Sequence, residues 1–268
     1  SIYDGIFTPP VSDGFVQGAT VEEVKKALKA GGHVGDVVPL EFAFTVIKTG
    51  GQTILIDAGT GGQLVPTAGL ASTGMKNAGI ALGDISKVLV SHMHGDHTYG
   101  LVDKETKNQI FPEAEILINE TEYKFWTDEG NNSKLNDRFR KQAERHQATF
   151  PKFKNVTLFK DDAKELAPGI NAVAAKGHTV GHTAFHISSG NDQLILIGDA
   201  VLTPALFVTH PEWQVAVDAD KEAAKKTRYN LMQRAVDDKM MIAGYHFGFP
   251  NSGKLEKDGI GFAFVPVS

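Results

Sequence analysis

The chain has 268 residues, of which 41% are hydrophobic and 22% charged, and its formal net charge is −5. These values are typical of a soluble globular protein, and the acidic balance argues against a nucleic-acid partner. No apolar run reaches the 18 residues of a membrane span, and the lack of cysteine excludes disulfides, thiolate ligands and a cysteine nucleophile.

The predicted elements alternate between helices and β-rich runs along the chain. A capping box at residues 20–23 opens a helix that extends to about Leu28, and further helices are predicted at about 133–147 and 221–237. Strands are predicted at 42–47, 53–56, 88–90, 115–118, 156–159, 172–174, 184–187, 193–197, 241–243 and 262–265. Two β-rich halves with helices between them favour an α/β fold (α+β by some schemes) with stacked sheets flanked by helices.

We expect a single domain over residues 1–268, because no repeat, low-complexity tract or linker interrupts the chain. The sequence does not determine the cellular compartment. The chain starts at Ser1 without a signal segment, so it is either cytoplasmic or a mature form that reached the periplasm or the exterior after a signal peptide was removed.

The strand predicted at 88–90 is followed by the run HMHGDH, residues 92–97. Residues two apart on an extended chain point to the same side, so His92 and His94 can bind one ion together. Gly95 suits the turn that must follow, and Asp96 and His97 can then bind a second ion beside the first. Three histidines and one aspartate in six residues are hard to explain as a solvated loop. We predict two divalent transition-metal ions per chain, with zinc as the first choice and iron, cobalt or manganese as alternatives.

Polar side chains also follow predicted strands in the second half of the chain. His178 and His182 lie in the glycine-rich loop 177–183, Asp199 follows the strand at 193–197, and His246 follows the strand at 241–243. Because α/β architectures place their sites at strand ends, we expect some of these side chains to complete the two metal sites.

The run at residues 92–97 resembles the H-x-H-x-D-H signature of the metallo-β-lactamase superfamily. The later Gly-His-Thr, Gly-Asp and Tyr-His elements occur in that superfamily's order. The resemblance implies a four-layer αββα sandwich and a dinuclear metal centre. It implies that one metal is bound by His92, His94 and His178, the other by Asp96, His97 and His246, with Asp199 bridging both. Asp96 and Asp199 are the implied catalytic residues.

Two further residues are expected to support the ligands. Asp57, in the segment LIDAG at 55–59, matches the superfamily's Asp-x-Gly element, in which the carboxylate orients a ligand histidine. A turn-forming role before Gly59 is the alternative for Asp57. His182 is expected to fix its loop. No partner in the site is predicted for the remaining histidines, which are His33, His146, His186 and His210.

Within the superfamily the chain most resembles the methyl parathion hydrolase and lactonase-like branch, over nearly its whole length. The stretches that carry this resemblance are 12–14, 92–100, 125–126, 177–183, 198–199 and 262–267. The residues expected to line the substrate pocket are Leu64, Phe125, Trp126, Phe139 and Phe247. Leu64 stands where methyl parathion hydrolase has an aromatic residue, so the aromatic clamp of that enzyme is expected to be incomplete here.

The predicted function is hydrolysis of a lactone or carboxylic ester by a metal-bridging hydroxide, with phosphotriester hydrolysis as a promiscuous activity. Two alternatives stay open: organophosphate hydrolysis as the main activity, and an iron-dependent redox enzyme on the same fold. A β-lactam hydrolase with a cysteine ligand and a nuclease are disfavoured by composition and charge, and a non-catalytic binding module because no ligand is missing. The expected partners are a small-molecule substrate and, from the branch resemblance, a second copy of the chain in a homodimer.

Overall fold

The computed structural model describes residues 1–33 and 36–267. Six strands of the N-terminal half form one mixed sheet, in the spatial order β1 (Ile2–Phe7), β3 (Leu40–Thr49), β4 (Gln52–Ile56), β5 (Ile85–Val90), β6 (Glu115–Asn119) and β7 (Val156–Phe159). β4, β5, β6 and β7 run parallel to one another, so their carboxyl ends meet at one edge of the sheet. The remaining pairs of this sheet are antiparallel.

Strands of the C-terminal half form the second sheet, in the spatial order β14 (Gly261–Pro266), β13 (Ser252–Asp258), β12 (Met241–Ala243), β10 (Asp192–Leu196), β9 (Thr183–Ser189) and β8 (Ile170–Ala174). β10 and β12 are parallel neighbours, and the other pairs are antiparallel. A small two-stranded sheet joins β2 (Val16–Gln17) to β11 (Gln214–Val215).

Helices occupy the connections between these strands. The α-helices are α1 (Val21–Ala30), α2 (Ala71–Asn77), α3 (Gly95–Thr98), α4 (Glu120–Thr127), α5 (Asp137–Thr149), α6 (Pro204–Phe207) and α7 (Lys221–Asp237). Short 3₁₀ helices span Leu82–Asp84, Tyr99–Leu101, Glu129–Lys134, Phe150–Lys152 and Gly198–Ala200. The capping box of Thr20 and Glu23 is present at the start of α1. α5 begins later than the charge pattern predicted, because the side chain of Asn136 caps it by accepting a hydrogen bond from the N–H of Phe139.

The buried strands explain why helices cover both outer faces. In β4, Ile54 and Ile56 pack between the two sheets, while Leu55 packs on the opposite face with residues of α2, α4 and α5. Alternate residues of a strand point to opposite faces, so consecutive apolar residues in a strand require cover on both faces. On the second sheet, Ile242 packs with residues of α1 and α7. The four-layer αββα arrangement predicted from the resemblance is confirmed. Among the described residues, no helix is both long and apolar enough to cross a membrane.

Candidate metal centre

The candidate ligands lie at the ends of strands from both sheets. The run at residues 92–97 follows β5, and α3 begins within it at Gly95. A Cβ at this glycine would lie 2.7 Å from the ring of Tyr99, so a larger residue would not fit without movement. His178 lies in the loop between β8 and β9, while Asp199 and His246 follow β10 and β12. Both sheets therefore contribute candidate ligands to the same site.

Four buried side chains form a first cluster: His92, His94, His178 and Asp199. Nδ1 of His94 lies 3.0 Å from Nε2 of His92 and 3.0 Å from Nε2 of His178. Oδ2 of Asp199 lies 3.4 Å from Nε2 of His178 and 3.9 Å from Nε2 of His92. Three imidazole nitrogens and one carboxylate oxygen thus converge on one point.

A second cluster is formed by Asp96, His97 and His246 together with the same Asp199. Nε2 of His97 lies 3.4 Å from Oδ2 of Asp96 and 3.2 Å from Oδ1 of Asp199. Nε2 of His246 lies 3.4 Å from Oδ2 of Asp96 and 3.2 Å from Oδ2 of Asp199. Asp199 is therefore shared by the two clusters.

The spacing of these atoms fits metal ions. Ligand atoms about 2.1 Å from a tetrahedral zinc lie about 3.4 Å from one another. The pairs of ligand atoms given above are 3.0 to 3.9 Å apart, and all ligand atoms of a cluster lie within 4.8 Å of one another. Two buried atoms, Nε2 of His97 and Oδ1 of Asp199, have no hydrogen-bond partner among the described residues. Buried polar atoms are rarely left unpaired, and a cation bound between them would satisfy both. Imidazole and carboxylate donors suit zinc, iron, cobalt or manganese.

Two buried carboxylates lie behind candidate ligand histidines. Nδ1 of His97 donates to Oδ2 of Asp57 at 2.8 Å, and Nδ1 of His178 donates to Oδ1 of Asp218 at 2.8 Å. A neutral imidazole that donates from Nδ1 keeps a lone pair on Nε2, which is the atom that faces each cluster. Such a carboxylate orients the ring of a metal-binding histidine and raises its basicity. The sequence pattern pointed to Asp57, but nothing marked Asp218, which lies 40 residues from His178.

The rings of His92 and His246 are oriented by other acceptors. Nδ1 of His92 lies 3.1 Å from Oγ of Ser91, whose hydroxyl donates to Asp57 at 2.8 Å. Nδ1 of His246 donates to the backbone carbonyl of Glu41 at 2.7 Å. In both rings Nε2 is therefore the nitrogen that is free to bind a metal.

Asp57 and His182 each hold backbone next to a candidate ligand. Asp57 has a φ of 64°, in the left-handed region, and its Oδ1 accepts a hydrogen bond from the N–H of Ser91 at 2.8 Å. Such a conformation costs about 1–3 kcal/mol and persists only where the surroundings enforce it. Nε2 of His182 accepts from the N–H of Asp199 at 3.0 Å, and burial lowers the pKa of His182 to about 3, so the ring is neutral. His182 belongs to neither cluster.

Without a metal ion, protonation differs between the two clusters. Burial lowers the pKa of His92 and of His94 well below the usual value, so both rings are neutral at pH 7. Burial also opposes the protonation of His246, but the carboxylates of Asp199 and Asp96 outweigh it and raise the pKa of His246 to about 9. This proton balances negative charge that a metal cation would otherwise balance, so metal binding should release protons.

Side chains from α4 and α5 hold the outer side of the run at residues 92–97. The buried carboxylate of Glu122 accepts from the N–H of Met93 at 2.9 Å and from that of Gly181 at 2.8 Å, so it joins two ligand loops. Gln142 accepts from the N–H of Gly95 at 3.0 Å and donates to the carbonyl of Met93 at 2.8 Å. The sequence analysis missed both residues, because each reaches the loop only through the packing of its helix.

His146 is a hydrogen-bonded core histidine and belongs to neither cluster. Its ring is buried, and Nε2 donates to the carbonyl of Met93 at 2.8 Å. Burial lowers the pKa of His146 to about 4, so the ring stays neutral at pH 7. His210, in contrast, stacks on Trp213 with ring centroids 3.9 Å apart, outside both clusters.

A comparison with models of known protein families identifies the family of this chain. The model of a family described as the metallo-beta-lactamase superfamily matches residues 43–246, a span that contains every candidate ligand. The chain belongs to the metallo-β-lactamase superfamily. No curated protein matches the chain at a significant level.

Solved structures share the superfamily fold over the whole chain. AidC, a dizinc quorum-quenching lactonase, is 27% identical, with a TM-score of 0.89 over 99% of this chain and 92% of AidC. The hydrolase AbOPH is 22% identical, with a TM-score of 0.90 over 100% of this chain and 93% of its own. A probable metal-dependent hydrolase from Staphylococcus aureus is 21% identical, with a TM-score of 0.79 over 99% and 95%. Family and neighbours identify a metal-dependent hydrolase, and the two clusters support a dinuclear site.

An apolar pocket opens onto the metal centre of this superfamily member. Two of the predicted wall residues, Leu64 and Phe139, line it, and the ring of Phe139 stacks on His94 with centroids 4.9 Å apart. Arg138, which the sequence analysis missed, contributes a cationic side chain to the wall. Further apolar lining comes from Phe7, Phe15, Leu40, Phe42, Leu202 and Val217.

The other three predicted wall residues lie elsewhere, and their assignment to this pocket is wrong. Trp126 is only 2% exposed, and its Nε1 donates to Glu122 at 2.8 Å, so the ring packs behind His94. Phe125 packs beside it in the core of the N-terminal half. Phe247 packs in the core of the C-terminal half and lines a different cavity. Which way a side chain points from a helix or a strand end depends on how that element packs, which the motif did not reveal.

Proposed function

We propose that this hydrolase cleaves lactones or carboxylic esters at a dinuclear site for which zinc is the expected metal. Its ligands are His92, His94 and His178 for one ion, Asp96, His97 and His246 for the other, and Asp199 for both. The observation that carries the proposal is the apolar pocket that ends at these ligands. A substrate with an apolar acyl group fits it, because the acyl group is buried against the walls while the carbonyl carbon reaches the ligand end.

Two divalent ions bound here would lower the pKa of a water molecule toward neutrality and polarise the carbonyl oxygen of the substrate. The protein then has to orient the substrate and move protons. We assign proton transfer to the carboxylate of Asp199, which is shared by the two clusters and would accept a proton from the attacking water and pass it to the leaving oxygen. Asp96, whose side chain is 16% exposed at the pocket, is the second carboxylate that can take part.

The relative AidC supports a lactone as the substrate. AidC is a lactonase, and its structure holds the product N-hexnoyl-L-homoserine. In the present chain an apolar acyl group would lie beside Leu64 and Phe139. Hydrolysis of a lactone releases a carboxylate, and the guanidinium of Arg138 at the pocket wall is suited to contact it.

Phosphotriester hydrolysis is the competing activity, because Phe7, Phe15, Phe42 and Phe139 offer aromatic walls to an aryl leaving group. The aliphatic Leu64 and the burial of Trp126 leave the aromatic clamp incomplete. We therefore rank phosphotriesters below lactones and carboxylic esters.

A substrate panel tests this ranking. The purified protein is loaded with Zn²⁺, Co²⁺, Mn²⁺ or Fe²⁺, and kcat/KM is compared for N-acyl lactones, aryl esters and methyl parathion. We expect a lactone or carboxylic ester to give the highest kcat/KM. A higher kcat/KM for methyl parathion than for every lactone and ester would reverse the ranking.

Elemental analysis of protein purified without added metal tests the alternative of an iron-dependent redox enzyme, which requires iron and a redox-active substrate.

A further inference from the structure

A buried ion pair lies behind the first cluster. Arg228 of α7 is 1% exposed, and its guanidinium lies 3.4 Å from Oδ2 of Asp218. The other carboxylate oxygen of Asp218, Oδ1, accepts the Nδ1 hydrogen of His178 at 2.8 Å. His178, Asp218 and Arg228 thus form a continuous chain of contacts that runs from a candidate ligand to the body of α7.

The same guanidinium also reaches a second ligand segment. Nε of Arg228 donates to the carbonyl of Ala200 at 3.0 Å, and Ala200 directly follows Asp199. Nη1 of Arg228 donates to the carbonyls of Pro211, at 3.4 Å, and of Trp213. Arg228 therefore connects the backbone beside one candidate ligand with the carboxylate that orients another.

The loop that carries His178 is fixed to the segment before α7 by further contacts. The N–H of Ala219 donates to the carbonyl of His178 at 3.1 Å, and the N–H of Asp220 donates to that of Gly177 at 2.9 Å. Gly177 has a φ of 132°, and a Cβ there would lie 2.2 Å from the backbone nitrogen of Ala224 in α7. The two segments are thus in close backbone contact, so the position of Asp218 relative to His178 is closely defined.

A buried arginine is costly unless its charge is compensated and its donors are satisfied. For Arg228 the compensating carboxylate of Asp218 contacts the ligand candidate His178, and the carbonyl bound by Nε belongs to Ala200, the residue after Asp199. From this geometry we propose that Asp218 and Arg228 are positioning residues for one of the two metal sites. Asp218 holds the ring of His178 with the Nε2 lone pair toward the cluster, and Arg228 holds Asp218 and the Asp199 segment in place. This role rests on the proposed metal ligands and is independent of the substrate class.

A purely structural role is the alternative, and metal affinity separates the two roles. We compare the wild-type protein with Asp218→Asn, in which the carboxylate becomes an amide of the same shape. Metal-free protein is titrated with Zn²⁺ against a competing chelator, which yields a dissociation constant for each site, and Co²⁺ absorption spectra report ligand geometry. We expect Asp218→Asn to weaken one site by about 10–100-fold and to leave the other unchanged.

Two control variants make this comparison specific. Asp57→Asn removes the corresponding carboxylate behind His97 and should weaken the other site. Leu231 lies on the same helix as Arg228, and Leu231→Ala removes buried apolar contacts of the C-terminal core. It should lower the melting temperature of the metal-free protein but leave both dissociation constants unchanged.

Arg228→Lys tests the second residue, because it keeps the buried charge but cannot reproduce the planar set of donors. We expect Arg228→Lys to weaken the same site as Asp218→Asn, because Arg228 contacts both Asp218 and the backbone that follows Asp199. Should Arg228→Lys fail to fold, the Asp218→Asn titration still decides the question.

The outcomes distinguish this proposal from the proposed function. If the wild-type protein binds two ions and Asp218→Asn binds both with wild-type affinity, the positioning role is overturned while the dinuclear hydrolase stands. If the wild-type protein binds no more than one ion at saturating metal, the dinuclear site itself is overturned, and the role of Asp218 with it.

Discussion

The two halves of the molecule contribute candidate ligands to the proposed metal centre in different ways. The N-terminal half provides His92, His94, Asp96 and His97 from a single segment after β5. The C-terminal half provides three candidate ligands that follow three separate strands, at His178, Asp199 and His246. A loop of consecutive ligands holds most of its geometry locally, whereas separate ligands depend on the packing between strands, helices and loops. The comparison teaches that candidate ligands which the chain does not group depend on supporting contacts from distant segments.

In both halves, nevertheless, a buried carboxylate accepts a hydrogen bond from one candidate ligand histidine. Asp57 accepts the Nδ1 hydrogen of His97 in the N-terminal half, and Asp218 accepts that of His178 in the C-terminal half. The difference lies in what holds the carboxylate. Asp57 is held by the N–H and the hydroxyl of Ser91, which immediately precedes the ligand loop. Asp218 is instead held by Arg228, from a helix that follows it.

The largest effect is expected from removing one ligand of each half. His94→Ala and Asp199→Ala should each lower hydrolysis by several orders of magnitude, because each removes a donor from a site that must generate its own nucleophile. Steady-state kinetics with the best substrate, together with metal analysis of each variant, is the measurement. Wild-type turnover by Asp199→Ala with both metals bound would show that the bridging assignment is wrong.

A smaller effect is expected from the carboxylate of the N-terminal half. Asp57→Asn should lower activity by about 10–100-fold, since it changes the orientation and basicity of His97 without removing a ligand. The measurement is kcat/KM at increasing metal concentration, and excess metal should restore part of the loss. A loss as large as that of His94→Ala, with no recovery in excess metal, would contradict an orienting role.

The contact that joins the two halves is expected to matter mainly for stability. Glu122→Gln should lower the free energy of unfolding by about 1–3 kcal/mol, because the buried acceptor for Met93, Gly181 and Trp126 is replaced in part by a donor. Urea unfolding of the metal-free protein is the measurement.

Glu120→Gln, two residues earlier on α4, is the matched control for this change. Its ion pair with Lys124 faces solvent, so the free energy of unfolding should be almost unchanged. Equal losses for the Glu120 and Glu122 variants would mean that the buried contacts of Glu122 contribute nothing specific.

The smallest effects on activity are expected for two histidines that bind no metal in the proposed site, and the melting temperature distinguishes between them. His210→Ala should leave activity and metal content unchanged, since its ring stacks on Trp213 outside both clusters. His146→Ala removes a buried donor to the loop of residues 92–97 and should lower the melting temperature by several degrees. Thermal unfolding of both variants is the measurement, and equal melting temperatures would contradict a supporting role for His146.

Much of the fold could be predicted from the sequence because its signals are local. The bounds predicted for β7, β12 and α7 agree with the structure. The start of α5 was predicted too early, because a charged stretch does not distinguish a 3₁₀ turn from the first turn of an α-helix. The superfamily signature also indicated the αββα layers, which alternation in single strands could not establish.

The sequence by itself determined the chemical class of the site, because four of its candidate ligands occur within six residues and the others follow strands in a known order. Only the tertiary structure decided what surrounds them. Asp218 meets His178 across 40 residues, and Trp126 turns away from the pocket to donate to Glu122. The physical reason is that neighbours along a chain are kept close by covalent geometry, while distant residues meet only when sheets and helices pack. Pocket walls and the groups that orient ligands are made by that packing.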